Sequence, residues 1–173
     1  MKGRPAFAAQ GRRYGYVGPA ELLDCTEPRR AGTEITSTSD LDAWLSSRPT
    51  MELGEPFTFV VDLTGTLRLA PRRSEHVVCA AGQPILAAGE IGFTRHGIGW
   101  TVTQISNQST GYCPETTSWT QTAAALDQAR IPHPGHFTDA FIFRRCPDCA
   151  QINIIKDDDY TCGVCDHPLQ VRR

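Results

Sequence analysis

Residues 146–165 read CPDCAQINIIKDDDYTCGVC, a stretch with two Cys-x-x-Cys pairs that are separated by twelve residues. Each pair, Cys146 with Cys149 and Cys162 with Cys165, places two thiolates on one face of a tight turn. A hairpin of about a dozen residues then brings the two pairs together around one ion. The spacing therefore predicts a tetrahedral metal centre with four sulfur ligands, and the predicted cofactor is Zn²⁺.

This four-cysteine motif resembles the zinc ribbon. The resemblance implies a structural unit that holds Zn²⁺ and that proteins of many unrelated functions share. The residues alone leave two other arrangements open, which are a pair of disulfides and a redox-active Cys-x-x-Cys. The motif thus predicts a cofactor without predicting an activity.

The length and composition of the chain limit the number of domains and the cellular compartments that it fits. A length of 173 residues fits one domain with an appendage or two small domains. The sequence has no run of about twenty apolar residues and its start lacks the apolar core of a secretion signal, so we expect no membrane segment and a cytoplasmic location. Cys25, Cys79 and Cys113 remain outside the motif and cannot all pair, which also favours a reducing compartment. The many arginines and few lysines are typical of a bacterial protein from a GC-rich genome.

The charge pattern weighs against binding to nucleic acid. The net charge is −2, and between Cys146 and His167 five aspartates accompany a single lysine, Lys156. Ten arginines nevertheless occur as adjacent pairs, which would form an anion site if several pairs met on one face. Nucleic-acid binding through these paired arginines therefore stays as an alternative. The pairs are Arg12-Arg13, Arg29-Arg30, Arg72-Arg73, Arg144-Arg145 and Arg172-Arg173.

The periodicity of the chain predicts an α+β fold built on an antiparallel β-sheet, with one or two amphipathic helices. A capped helix follows Thr36, and two hairpins are expected, PFTFVVDLTGTLRLA from residue 56 and PILAAGEIGFTRHGIGWTVTQIS from residue 84, with Ile98 in the second strand of the latter. A second helix is predicted over residues 118–130. We divide the chain into an N-terminal extension with short helices (1–50), a β-rich core (51–143) and a zinc ribbon (144–173).

The junction between core and ribbon is informative. The stretch FTDAFIF, residues 137–143, is predicted as a final strand and enters the first Cys-x-x-Cys turn without a flexible linker. We therefore expect a ribbon that is fixed rigidly to the sheet. Because so short a hairpin cannot bury Ile152, Ile154 and Ile155 by itself, these side chains should lie against the main domain or against a partner.

Two polar stretches are candidates for catalysis, residues 72–76 and residues 109–115. If the sheet brings them together, Cys113 would serve as a thiol nucleophile with His76 as its base, in a transferase or hydrolase. In the same site Tyr112 and Glu90 would contact a polar substrate. The alternative is that His76 is a hydrogen-bonded residue at a strand end and Cys113 a half-buried small apolar residue.

A second resemblance covers residues 76–114, about a quarter of the chain. His76, the segment AAGEI at residues 87–91 and STGYCP at residues 109–114 are similar to an AAGE…SGHYxP pattern. That pattern belongs to an uncharacterised domain of bacterial proteins, some of them toxin-like, and of plant IQ-motif calmodulin-binding proteins. The resemblance implies a shared site at His76, Glu90, Ser109 and Tyr112. Thr110-Gly111 stands where the pattern has Gly-His, which puts any activity of that histidine in doubt here.

Cys79 lies in the apolar run VVCAAG, residues 77–82, which we expect to be a buried strand. No Walker loop, GxSxG elbow or HExxH motif occurs in the chain, and the residues leave a small-molecule substrate unknown. We therefore expect a zinc-binding protein whose sheet and ribbon form an interaction surface for another protein, with no membrane partner.

Overall fold

Five antiparallel strands form the central sheet of the protein. They are β1 (Thr33–Ile35), β2 (Phe57–Val61), β3 (Leu67–Ala70), β4 (Ala87–His96) and β5 (Gly99–Ile105). The computed structural model describes residues 11–171 and orders these strands β1-β3-β2-β4-β5. Three α-helices accompany the sheet, α1 (Thr38–Ser46), α2 (His76–Cys79) and α3 (Trp119–Gln128). The predicted α+β class with an antiparallel sheet is confirmed.

The central strand β2 is buried on both faces, which explains its unbroken apolar sequence. Phe57, Phe59 and Val61 point into one core, which α1 and α3 cover. Val60 points into a second, smaller core beneath α2. Thr58 shares that second face and is 3% exposed, with its hydroxyl donating to the backbone carbonyl of Ser74 at 2.9 Å. Apolar residues on both faces are what a strand covered by two layers requires.

Both predicted helices are present, and α1 begins at a predicted cap, whereas Ser118 makes no side-chain cap at the start of α3. Ser37 caps α1, because its hydroxyl accepts a hydrogen bond from the backbone N–H of Asp40 at 3.1 Å. Helix α3 places Ala125, Leu126 and Ala129 in the main core. The chain also contains short 3-10 turns at Ala20–Leu22, Pro28–Arg30, Thr50–Glu52 and Thr116–Ser118.

Both predicted hairpins are present, and the second differs at its tip. In the first, the Asp62 carboxylate accepts hydrogen bonds from the backbone of Thr64 and Thr66, and Gly65 supplies a φ of +83°. In the second, Ile98 was predicted to alternate within the strand, but it lies in the turn after Gly97 and is 97% exposed. The turn takes these two residues because Gly97 adopts a φ of +60°.

Two other local predictions are wrong. The run VVCAAG was expected to be a strand, but its first residues form the short helix α2, which lies on the second core beside β2 and β3. Cys79 is nevertheless fully buried, as expected for a core residue. The stretch FTDAFIF forms no strand before Ile142. The chain there is held to the end of β5 by side-chain hydrogen bonds, by two backbone bonds to the Ile105 carbonyl and by one isolated bridge between Asp139 and Ser106, which do not extend into a ladder.

The C-terminal ribbon is a separate two-stranded antiparallel sheet of β6 (Ile142–Arg145) and β7 (Ile152–Ile155). Asn107, two residues after the end of β5, attaches it to the core. The Asn107 amide accepts from the backbone N–H of Phe141 at 2.7 Å and donates to the Phe141 carbonyl at 2.8 Å and to the Pro114 carbonyl at 2.9 Å. The ribbon is therefore packed rigidly against the core, as the missing linker predicts.

The N-terminal part of the described chain contributes directly to the main domain. Strand β1 forms an edge of the sheet, and Ile35, Leu41 and Leu45 belong to the main core. The division into parts at residues 50 and 143 stays a prediction. Within residues 11–171, no helix is long and apolar enough to cross a lipid bilayer.

Candidate metal centre

The first Cys-x-x-Cys turn presents two sulfur atoms through a closed backbone loop. The backbone N–H of Cys146 donates to the Gln151 carbonyl at 2.8 Å, and the Ala150 N–H donates back to the Cys146 carbonyl at 3.1 Å. Closing this loop requires a left-handed residue directly after the second cysteine, and Ala150 has a φ of +62°. The two cysteines of the turn, Cys146 and Cys149, therefore project from one compact loop.

The second turn repeats this geometry. The backbone N–H of Cys162 donates to the His167 carbonyl at 2.9 Å, and the Asp166 N–H donates to the Cys162 carbonyl at 3.0 Å. Asp166 takes the left-handed position with a φ of +58°. Two loops of equal geometry thus face each other across the ribbon, each with two sulfur atoms.

The four sulfur atoms lie where a single cation would hold them. The Sγ atoms of Cys146 and Cys165 are 3.6 Å apart, as are those of Cys149 and Cys162, and all four lie within 4.8 Å of one another. A disulfide needs about 2.05 Å, so these sulfurs are not bonded to each other. A tetrahedral zinc with Zn–S distances of about 2.3 Å needs sulfurs about 3.8 Å apart, which matches this cluster. The four cysteines therefore form a site that is positioned to bind a metal ion.

The cysteine electrostatics also fit a cation. Hydrogen bonds from the backbone N–H groups of Val164 and Cys165 lower the pKa of Cys162 to about 6, so this sulfur ionises readily. Thiolates packed this closely repel each other, and a divalent cation removes the repulsion. Zn²⁺ bound here would serve to join the two turns, since four protein ligands leave no open position for a substrate.

Asn153 supports the site from β7, and the motif spacing gives no sign of it. Its side-chain N–H groups donate to the Cys162 sulfur at 3.6 Å and to the Gln151 carbonyl at 3.1 Å. Its carbonyl oxygen accepts from the backbone N–H of Gly163 at 3.0 Å. The single amide therefore connects the two cysteine turns and orients one ligand.

The candidate base, His76, begins α2 and faces the sheet. Its Nε2 lies 2.9 Å from the Gly89 carbonyl, which can only accept, so Nε2 carries the proton of this bond. Burial lowers the pKa of His76, which favours the neutral form of the imidazole. An added Cβ at Gly89 would overlap the Ser106 carbonyl, so the glycine of the AAGE segment is required by close packing.

The candidate nucleophile, Cys113, is half-buried and has a φ of +49°. Its thiol donates to the Thr110 carbonyl at 3.2 Å, and burial raises its pKa to about 11 in spite of the nearby Arg145 guanidinium. The sulfur is therefore protonated at neutral pH, which is the opposite of what a thiol nucleophile needs. Cys113 and His76 therefore have different hydrogen-bond partners: the Cys113 thiol bonds to Thr110, and the His76 ring bonds to Gly89.

The other candidate residues differ in their surroundings. Tyr112 is buried, its hydroxyl donates to the Gln83 carbonyl at 2.8 Å, and burial raises its pKa above the ordinary range. Glu90 is exposed on β4. Ser109 is buried, and its hydroxyl has no hydrogen-bond partner among residues 11–171. The roles proposed for these residues stay predictions.

A groove separates the ribbon from the N-terminal segment, and we call it the ribbon groove. Its volume is about 1010 Å³. One wall is the segment at residues 16–19 with Leu22, and the other is the ribbon at residues 150–154 with Val164. The two polar stretches at residues 72–76 and 109–115 also reach this groove: Glu75 of the first and Thr110-Gly111 of the second are among its lining residues.

Comparison with known proteins gives no relative: no family model, no curated protein and no solved structure matches this chain. The metal assignment is carried by the positions of the four sulfur atoms.

Proposed function

We propose that this chain is an intracellular zinc-binding protein that uses the ribbon groove to bind an extended segment of another protein. The observation that carries the proposal is that apolar side chains of two separate elements line one open groove. Ile152, Ile154 and Val164 of the ribbon contribute to one wall, and Val17 and Leu22 contribute to the other.

The exposure of these residues supports a binding role. Val164 is 66% exposed and Val17 is 44% exposed, which leaves apolar surface next to the half-buried isoleucines of β7. Apolar patches of this kind, bordered by polar residues, are typical of protein-binding sites. Ile155 by contrast packs against the cysteines on the inner side of the ribbon, so the isoleucines of β7 serve two different purposes.

The free edge of β7 indicates the form of the partner. Among the described residues β7 pairs only with β6, and its residues border the groove. An unpaired strand edge offers backbone donors and acceptors to an added strand. An extended peptide would pair with this edge and place alternate side chains between Val17 and Ile154.

Zinc would act in this function by holding the ribbon wall in place. The two cysteine turns carry Ala150 and Val164, both of which line the groove. Loss of the metal would release these turns and remove one wall.

A site-specific photocrosslinker tests the proposal. We expect a crosslinker at Val164 to give adducts of defined size in cells, and Ile154→Asp in the same chain to abolish them. The control position is Met51, which is 84% exposed and lies outside the groove. The adducts should contain one recurrent peptide sequence by mass spectrometry. Equal adducts from Val164 and Met51, or adducts that persist in Ile154→Asp, would contradict a specific groove.

The hydrolase or transferase alternative has no comparable support. The raised pKa of Cys113 and the hydrogen bond of His76 to Gly89 give no support to a thiol nucleophile with a histidine base. No second function is therefore proposed for residues 72–76 and 109–115.

A further inference from the structure

Two of the adjacent arginine pairs converge on one cleft. Arg12 and Arg13 come from the start of the described chain, and Arg144 and Arg145 come from the end of β6. The four side chains line a cleft of about 410 Å³ between the N-terminal segment and the ribbon, which we call the arginine cleft. The pairs are more than a hundred residues apart in sequence, so only the fold brings them together.

The cleft is strongly basic in a protein that is slightly acidic. Its lining contains these four arginines and one acidic residue, Glu115, which gives a local charge of +3. The whole chain has a net charge of −2. Arg12 bonds to Glu115 at 2.6 Å, and this is the single carboxylate in a lining that holds four guanidinium groups.

Several guanidinium N–H groups in the cleft remain available. Arg13 has no hydrogen bond or ion pair with any residue in 11–171. Arg145 uses only Nη1, which donates to the Ala150 carbonyl at 3.0 Å. Arg144 uses Nε and Nη1, which donate to the carbonyls of Gln170 and Phe143 and fix the side chain in place. The wall residue Tyr14 is 6% exposed, and its hydroxyl has no partner among the described residues.

Such an arrangement suits an anion with several oxygen atoms. Guanidinium groups form paired, charge-assisted hydrogen bonds with planar or tetrahedral oxyanions. Like charges held close together destabilise a fold unless an anion or solvent compensates them. We propose that the arginine cleft binds a compact phosphate-bearing anion of the size of a diphosphate group. This goes beyond the ribbon groove as a protein-docking site and does not depend on it.

A compact anion fits better than a polynucleotide. The cleft has the volume of a small-ligand site, and all four arginines line this one recess. A site for a nucleic-acid backbone would instead present lysine and arginine side chains along an extended groove. The ribbon tip is acidic and would repel a nucleic-acid backbone, since it carries three consecutive aspartates at residues 157–159.

Titration calorimetry with inorganic pyrophosphate on the zinc-loaded full chain tests this. We expect saturable one-to-one binding at low ionic strength. Arg13→Gln should weaken the affinity about tenfold, because it removes charge-assisted hydrogen bonds to the anion without breaking a hydrogen bond or ion pair among residues 11–171. Glu115→Gln should strengthen the affinity about threefold, because it releases Arg12 from its ion pair.

The matched control is the double variant Arg29→Gln, Arg30→Gln. It removes an exposed arginine pair that lies outside the cleft, so binding should be unchanged. Zinc content is measured before and after titration to exclude loss of the metal to pyrophosphate. The absence of saturable binding, or equal weakening by the control, would overturn the proposal. Tighter binding of a short oligothymidylate than of pyrophosphate would also overturn it, in favour of nucleic acid.

Discussion

Asn107 is the residue on which the joint between core and ribbon depends. It is 0% exposed, and its amide makes three hydrogen bonds to the backbone of Phe141 and Pro114. These backbone groups have no strand neighbour to bond with, because the chain forms no ladder before Ile142. The Asn107 side chain therefore supplies hydrogen bonds that a neighbouring strand would otherwise make to the backbone.

Replacing the Asn107 amide should lower the stability of the protein. We expect Asn107→Ala to lower the free energy of unfolding by about 2–4 kcal/mol, because it leaves the buried Pro114 carbonyl and the part-buried backbone groups of Phe141 without this partner. Amide hydrogen exchange at Phe141 should accelerate with it. Chemical denaturation and exchange mass spectrometry measure the two effects. Gln108→Ala, at the half-buried neighbouring position, should change stability by less than about 1 kcal/mol. Similar losses in both variants would show that Asn107 has no special role.

The thiols of the chain should differ widely in reactivity. A pKa of about 11 at Cys113 lowers its thiolate fraction at neutral pH about a hundredfold or more below that of an ordinary thiol. Burial raises the pKa of Cys79 to about 12. In the zinc-loaded protein, iodoacetamide should therefore label the exposed Cys25 first, as followed by peptide mapping. Cys113 labelling should speed up as the pH rises toward its pKa. Fast labelling of Cys113 at neutral pH would restore it as a nucleophile.

Some residues were predictable from the sequence and others were not. The four metal-ligating cysteines follow from local spacing, because each pair is set by one tight turn. Asn107 and Asn153 act on partners brought close by the fold, and Asn107 bonds a residue 34 positions away. No local pattern marks such a residue before the fold is known.

Each cysteine turn contains one strained residue. Ala150 and Asp166 both adopt left-handed φ values near +60°, where a Cβ meets the backbone. Glycine would occupy this position without that cost. The ribbon therefore folds with some strain in both of its turns.

Relieving this strain should tighten the metal site. We expect Ala150→Gly to raise the zinc affinity about twofold to fivefold, since about 0.5–1 kcal/mol of strain is removed from the bound form. Competition with a chelator measures it. The control is Ala124→Gly at an exposed position of α3, where the helical φ makes glycine unfavourable; it should lower overall stability and leave zinc affinity unchanged. A weaker site in Ala150→Gly would mean that the methyl group has a packing role.

The elements with clear local signals were predicted correctly. Helix α1 has its Ser37 cap, and the β2–β3 hairpin has Asp62 and Gly65 in the turn. The failures have a common cause, since the apolar run at 77–82 and residues 137–141 have β-type composition but join no ladder among the described residues; Asp139 makes a single bridge with Ser106. Composition alone does not reveal whether a strand has a partner.

At the scale of the whole molecule, the ribbon packs beside the N-terminal segment and forms two recesses with it. The ribbon groove and the arginine cleft lie side by side and share Val17, Arg145 and Ile152. Both owe one wall to the ribbon, so both depend on the cysteine centre that holds it. The sequence showed the paired arginines but not which pairs meet, because that depends on how the ribbon packs.

Metal analysis of the purified protein tests the central claim most directly. Elemental analysis should find one zinc per chain, and Cys162→Ser should reduce this value strongly because it removes one of four thiolates. Cys25→Ser, which changes an exposed cysteine outside the centre, should leave it unchanged. A wild-type protein that binds no metal while its thiols are reduced, or that holds Cys146, Cys149, Cys162 and Cys165 as disulfides, would contradict the account.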